Sequence, residues 1–230
     1  NTLQSDLSIN FLAYGEMRGD AFYNNAFNVN ADKVVNNSLD NNIFWASWYN
    51  YYRVIKQANA VIKFTPQVLE AGGISAEKAD DVMGQAYCLR AFTYFWIIRI
   101  WGDAPLVTAP YLDSNDSFDL PKAAVADIVE QIHSDLENAS NMIDKNSTSR
   151  TTFTQTAAYA INAHVYAWEH KYEETINMAD KVLTNTNYTL ANLYDEKYTG
   201  TTDDVKNKNF KALVQASEYA QIFNTGRSKD

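Results

Sequence analysis

The chain has 230 residues, 46% hydrophobic and 20% charged, with 8 glycines and 4 prolines; so few breakers favour long helices, and the length is enough for one large domain or two small ones. Its net charge of -9 argues against a nucleic-acid or anionic-membrane surface, either of which selects a basic patch. A lone Cys88 rules out an intrachain disulfide and a cysteine-rich metal site, and among apolar neighbours in mid-helix it reads as packing.

Leu3, Leu7, Ile9, Leu12 and Met17 recur at rough helical spacing. No charged n-region or apolar h-region precedes them, so both ends are expected to be cut from a longer protein. From Gly19 to Asn42 periodicity lapses. Eleven of the 24 asparagines lie in the first fifty residues, which marks a long polar loop rich in amide donors and acceptors; loops of that length are uncommon unless they carry a function.

Trp48, Tyr52, Ile55, Ala58, Asn59 and Ile62 then step by threes and fours, predicting a helix with one apolar face. A longer helix is predicted from Ala76 to Trp101, with Ser75 as its N-cap and Glu77 in the first turn, where the helix dipole favours an acid. From Ala91 onward it is apolar nearly all round, so it belongs in the middle of a stack. It is about half the roughly 20 residues a bilayer span requires and carries Arg99, so it is not read as a membrane span. Gly102 supplies a left-handed stop and Pro105 forbids continuation. Arg90, inside this apolar helix, needs a carboxylate or carbonyl partner and is expected to be a structural clamp.

Val125, Ile128, Ile132, Leu136, Ala139 and Ile143 predict the next helix, started through Pro121. Two shorter helices follow between Thr156 and Leu183, joined around Lys171. Small Ala160, Ala163 and Ala167 set against Tyr159, Tyr166 and Tyr172 are similar to a tetratricopeptide unit over about 156–185, with Asn162 and Thr175 departing from its preferences. A second aperiodic region, Leu193 to Asn209, precedes a last predicted helix over Phe210, Leu213, Val214, Tyr219, Ile222 and Phe223. No alternating strand pattern is found. The expected fold is all-α: tetratricopeptide-like stacked helical hairpins with long polar loops.

Chemistry-bearing constellations are missing from the pattern. His133, His164 and His170 share no metal-ligand spacing, so no metal is expected and structural or surface roles are assigned to them. Asp135 with Glu137, and Glu173 with Glu174, read as charge on solvated helix faces. No strained-turn serine and no glycine-rich phosphate loop occurs, so neither a catalytic residue nor a cofactor is expected.

The string Gly84-Gln85-Ala86-Tyr87-Cys88-Leu89-Arg90-Ala91-Phe92-Thr93-Tyr94-Phe95-Trp96, continuing to Arg99-Ile100-Trp101-Gly102-Asp103-Ala104-Pro105-Leu106, resembles the signature of the SusD/RagB outer-membrane lipoproteins. Trp48, Tyr52, Ile55, Ala58 and Asn59 resemble a second motif of that family. Gln131, Ile132, Asp135, Leu136 and Ala139, followed by Arg150 and Ala157-Ala158, resemble a third. Gln85 stands where the family usually has Glu, and Lys122 where Arg is common.

The resemblance implies that residues 1–230 form a single N-terminal, repeat-bearing domain of a longer protein with a lipid-modified cysteine absent from this chain. It implies a non-enzymatic glycan-binding partner of a SusC-like TonB-dependent transporter, on the outer face of a Bacteroidetes-type outer membrane. The alternative, from the Tyr159–Leu183 unit alone, is a tetratricopeptide adaptor for a protein or peptide. Sugars present hydroxyls to amides and an apolar ring face to aromatics, and this mixture occurs at Tyr23, Asn24, Asn25 and Phe27 and again at Trp45. Those five are the candidate ligand-binding residues. The competing reading, which the pattern favours, makes Tyr23 and Phe27 plugs that pin a loop and places Trp45, three residues before Trp48, on the buried face.

Overall fold

The computed structural model describes residues 10–19, 29–43, 46–111, 119–149 and 151–184, all within one compact unit, Asn1–Asn185. The expectations for Leu3, Leu7 and Ile9, for Leu193 to Asn209 and for the helix over Phe210 to Phe223 lie outside the described residues. Among the described residues there are six α-helices of at least seven residues and no strand: α1 (Val29–Val35), α2 (Tyr49–Glu70), α3 (Ala76–Trp101), α4 (Val125–Met142), α5 (Gln155–Trp168) and α6 (Tyr172–Leu183). Asn10 to Tyr14 are also helical and lead to a short 3-10 turn, Glu16–Arg18. The all-α expectation holds.

α3 is the centre of the stack. Because its second half is apolar nearly all round, it is covered by α2 and by α4, while α5 packs on α4 and α6 on α5. Cys88, Ala91, Tyr94, Phe95, Ile97 and Ile98 of α3 share one core with Tyr51 and Ile55 of α2 and Ile128, Ile132, Leu136 and Ala139 of α4. Burial pushes the Cys88 thiol up from its ordinary range, as befits an inert packing cysteine. Ser75 caps α3 as expected, its side chain accepting the Lys78 N–H at 3.3 Å. At Gly84 a Cβ would lie 2.7 Å from Ile143 Cγ1 and 3.2 Å from the Ile143 nitrogen, so the missing side chain sets how closely α3 approaches the end of α4.

Four details differ from expectation. Gly102 does take a positive φ, but with ψ -129 it lies outside the left-handed helical region; this conformation is open essentially to glycine alone, and it turns the chain sharply off the helix. Pro121 does not start α4: the helix begins at Val125, whose N–H is capped by Asp103 Oδ1 at 3.0 Å. The stretch Gly19 to Asn42 is not all loop, since α1 lies within it; Asn37 adopts φ 52 just past its end and Ser38 N–H returns to the Lys33 carbonyl. An asparagine there terminates a helix, because its short polar side chain tolerates the left-handed region. Tyr172, expected as a large residue seated against alanine, is 63% exposed, since no described helix covers the far side of α6. No described helix is long and apolar enough to cross a membrane.

Candidate functional site

Site-building starts from a buried charge. Arg90 on α3 is 3% exposed and Asp135 on α4 is fully buried. Their side chains meet in a two-pronged pair, Nε to Oδ2 at 2.7 Å and Nη2 to Oδ1 at 2.6 Å, the geometry that suits a guanidinium best. Gln131, one turn earlier on α4, donates to Asp135 Oδ1 at 2.8 Å. Arg90 is therefore the expected clamp, whereas the placing of Asp135 on a solvated face is corrected: docking of α4 against α3 seals it from water. Burial raises the Asp135 carboxyl above its usual range while Arg90 and Gln131 pull it back.

What Arg90 clamps is the chain that follows α3. Its remaining nitrogen, Nη1, donates to Asn59 Oδ1 of α2 at 2.6 Å and to the Thr108 carbonyl at 3.1 Å. Asn59 Nδ2 in turn donates to the Val107 and Ala109 carbonyls at 2.9 and 3.2 Å. Tyr94 accepts the Val107 N–H at 2.7 Å, and Tyr52 donates to the Pro105 carbonyl at 2.6 Å. The isolated bridge between Ala104 and Ala123 closes the base of the excursion. Four side chains from two helices thus hold the irregular segment Pro105–Ala109 against α2, satisfying backbone groups that no sheet or helix would satisfy.

Between that segment and α2 lies a cleft of about 510 Å³, lined on the α2 side by Trp48, Tyr49, Tyr52, Arg53 and Lys56 and across from it by Val107, Tyr111, Asp119 and Leu120. The size is within the range of small-ligand sites, roughly 300–1,000 Å³. Its aromatic wall is braced from behind: Trp48 meets Tyr52 edge-on at 5.7 Å and Trp101 at 6.2 Å, and Tyr52 meets Tyr94 at 6.4 Å. Tyr49 is 66% exposed, with the Arg53 guanidinium 5.8 Å from its ring centre.

The five candidate residues from the sequence, Tyr23, Asn24, Asn25, Phe27 and Trp45, lie outside the described residues. Spacing along the sequence does not point to the cleft residues instead. Trp48 and Tyr52 read as core, and Tyr49, Arg53 and Lys56 were visible only as an i, i+4, i+7 series off the apolar stripe, a spacing common on any exposed face. Among the described residues no three His, Cys, Asp or Glu side chains gather as a metal site would need.

The hairpin of α5 and α6 has its own polar junction. His133 of α4 faces Asn162 Oδ1 through Nδ1 at 2.7 Å and Glu169 Oε2 through Nε2 at 2.6 Å, and its ring stacks on Tyr166 at 4.1 Å. This explains Asn162 where a tetratricopeptide prefers leucine. Burial would raise the Glu169 carboxyl, but hydrogen bonds from Lys171 and His133 outweigh it and hold the group below its ordinary range.

Residues 4–167 match a family model described as SusD-like, starch-binding associating with outer membrane. The chain belongs to the SusD-like family. A curated relative, SusD-like protein P38 of Formosa agariphila, is 27% identical over 183 residues, covering 77% of this chain and 34% of the relative. The chain therefore spans about a third of that relative's length. A solved structure with xylogluco-oligosaccharide superposes with a TM-score of 0.64 at 25% identity, covering 80% of this chain and 38% of that one. A laminarin binding SusD-like protein superposes at 0.62 with 20% identity, over 71% and 37%. In this SusD-like chain the second and third motifs have a joint physical role, since Asn59 from one and Asp135 from the other both bond Arg90 of the signature helix.

Proposed function

We propose that the protein adsorbs a glycan at the cell surface, chemically unchanged, and hands it to a SusC-like TonB-dependent transporter in the outer membrane, to which a lipid anchor outside this chain would tether it. The observation that carries this is the braced aromatic cleft: the exposed Tyr49 ring and the half-buried Trp48 and Tyr52 rings beside Arg53, Lys56 and Asp119 offer the stacking surface and hydroxyl partners that suit a pyranose chain. Relatives of the same fold include one solved with xylogluco-oligosaccharide and one described as laminarin binding. Trp45, three residues before Trp48, and Tyr23, Asn24, Asn25 and Phe27 are proposed to extend the contact surface. Residues 1–230 serve as the helical N-terminal domain of the longer protein.

Calorimetry of the full-length protein against a polysaccharide panel tests this, with Trp48→Ala and Tyr49→Ala expected to weaken binding at least tenfold in total, the loss of two stacking platforms at about 1 kcal/mol each. Binding that ignores both substitutions would place the ligand elsewhere. A second reading, a tetratricopeptide adaptor, draws on the exposed Tyr172, Ile176 and Leu183 of α6. Loss of a copurifying protein partner on Ile176→Asp, with glycan binding absent from the wild type, would favour it.

A further inference from the structure

The cleft gathers positive charge in a chain that has 28 acidic against 19 basic side chains. α2 carries Arg53, Lys56 and Lys63 and no acid before Glu70. Arg53 and Lys56 are both exposed on the cleft wall. Lys122 approaches from the far end of the excursion, its ammonium 5.9 Å from the centre of the Trp48 ring. Outside the cleft Lys33 meets Asp40, Lys78 meets Asp81 and Lys171 meets Glu169, while among the described residues Lys63, Lys145 and Lys181 form no ion pair. Arg53 and Lys56 stand on the lining with Asp119 as its sole described acid, and Lys122 stands beside it; among the described residues none of the three cations forms an ion pair, and Arg53 Nη1 donates only to the neutral Asn50 Oδ1 at 3.4 Å.

A neutral sugar needs only hydroxyl partners, which amides and carboxylates provide without any excess of cations. Like charges left together in a concave, partly apolar surface repel one another, and they focus a potential that draws anions in. A guanidinium beside an exposed ring fits one ligand pattern especially well: a ring that stacks while its carboxylate or sulfate meets the planar fork.

We propose that the cleft takes an anionic glycan, with pyranose faces on Trp48 and Tyr49 and carboxylate or sulfate substituents at Arg53, Lys56 and Lys122. This rests on the glycan-binding reading above and adds the ligand's charge class.

The test is calorimetry of the full-length protein with three probes: oligogalacturonate for the carboxylate source, carrageenan oligosaccharide for the sulfate source, and laminari-oligosaccharide as the neutral arm. At least one anionic arm is expected to bind more tightly than the neutral one and to weaken as NaCl rises from about 0.05 to about 0.5 M, where screening shortens from over 10 Å to a few Å. Arg53→Gln and Lys56→Gln are expected to weaken that arm about two- to fivefold each, whereas Lys63→Gln, on the same helix but off the cleft lining, leaves it unchanged. Neutral binding equal to or tighter than both anionic arms overturns the charge assignment and leaves the glycan reading standing. Anionic binding that ignores both salt and the Arg53 and Lys56 variants overturns it too. If none of the three arms binds, the glycan reading fails and the charge assignment falls with it.

Discussion

Asp135→Asn is the perturbation that probes the cleft wall most directly. The carboxylate accepts 2.6 and 2.7 Å bonds from Arg90 and a 2.8 Å bond from Gln131 while fully buried. The substitution turns one acceptor oxygen into an NH2 group that confronts guanidinium donors, and it leaves the Arg90 charge without a counter-ion. Breaking a buried pair in this way costs about 3–5 kcal/mol, a large share of the roughly 5–15 kcal/mol that holds a domain folded. In urea, with a slope of about 2 kcal/mol/M, the unfolding midpoint read by tryptophan fluorescence should drop by roughly 1.5–2.5 M. Replacing both partners, Arg90→Met with Asp135→Leu, should recover most of that loss, because two desolvated charges disappear together. It also frees the Thr108 carbonyl and Asn59 from their shared donor. Ligand affinity should therefore stay low after stability returns. A single-variant cost under about 1 kcal/mol, typical of a solvated pair, would refute the sealed-clamp account, as would a double variant that restores affinity along with stability.

Gln85→Glu should destabilise by about 1–3 kcal/mol, measured by thermal unfolding: the Gln85 amide donates to the Phe153 carbonyl at 2.7 Å and accepts the Phe153 N–H at 2.8 Å, and a carboxylate can do only the second. Gly84→Ala should cost about 1–3 kcal/mol by overpacking, since its Cβ would sit 2.7 Å from Ile143 Cγ1; an unchanged urea midpoint would mean that α4 shifts freely. Glu169 titrates below its ordinary 4.5 in the folded state, so its contribution to stability is present above that pH and is lost as pH falls through the lowered folded value. Protection factors of the α6 amides, taken relative to intrinsic exchange at each pH, should fall over that acid range, and Glu169→Gln should flatten that fall.

The helices could be read from the sequence because helical order is local. Apolar residues three and four apart in Trp48 to Ile62, the Ser75 cap and the Gly102 stop each act within a turn or two of themselves, and α2 and α3 follow them closely. Arg90, too, announced a need for a partner, since a guanidinium in an apolar helix cannot stay unpaired. Which carboxylate would meet it was hidden: Asp135 lies 45 residues away, and along its own helix it looks like any polar position next to Glu137. The same holds for Gln85 and Phe153, 68 residues apart. The cleft was the least legible feature, because one wall is an aperiodic segment with no pattern of its own, positioned by side chains of α2 and α3 and by the Ala104–Ala123 bridge. Periodicity encodes which face of a helix is apolar, and from that the sequence alone determined a stacked all-α body. The meeting of Asn59, Arg90, Asp135 and the Val107–Ala109 carbonyls is a long-range event that required the folded stack, and it decided where the cleft forms.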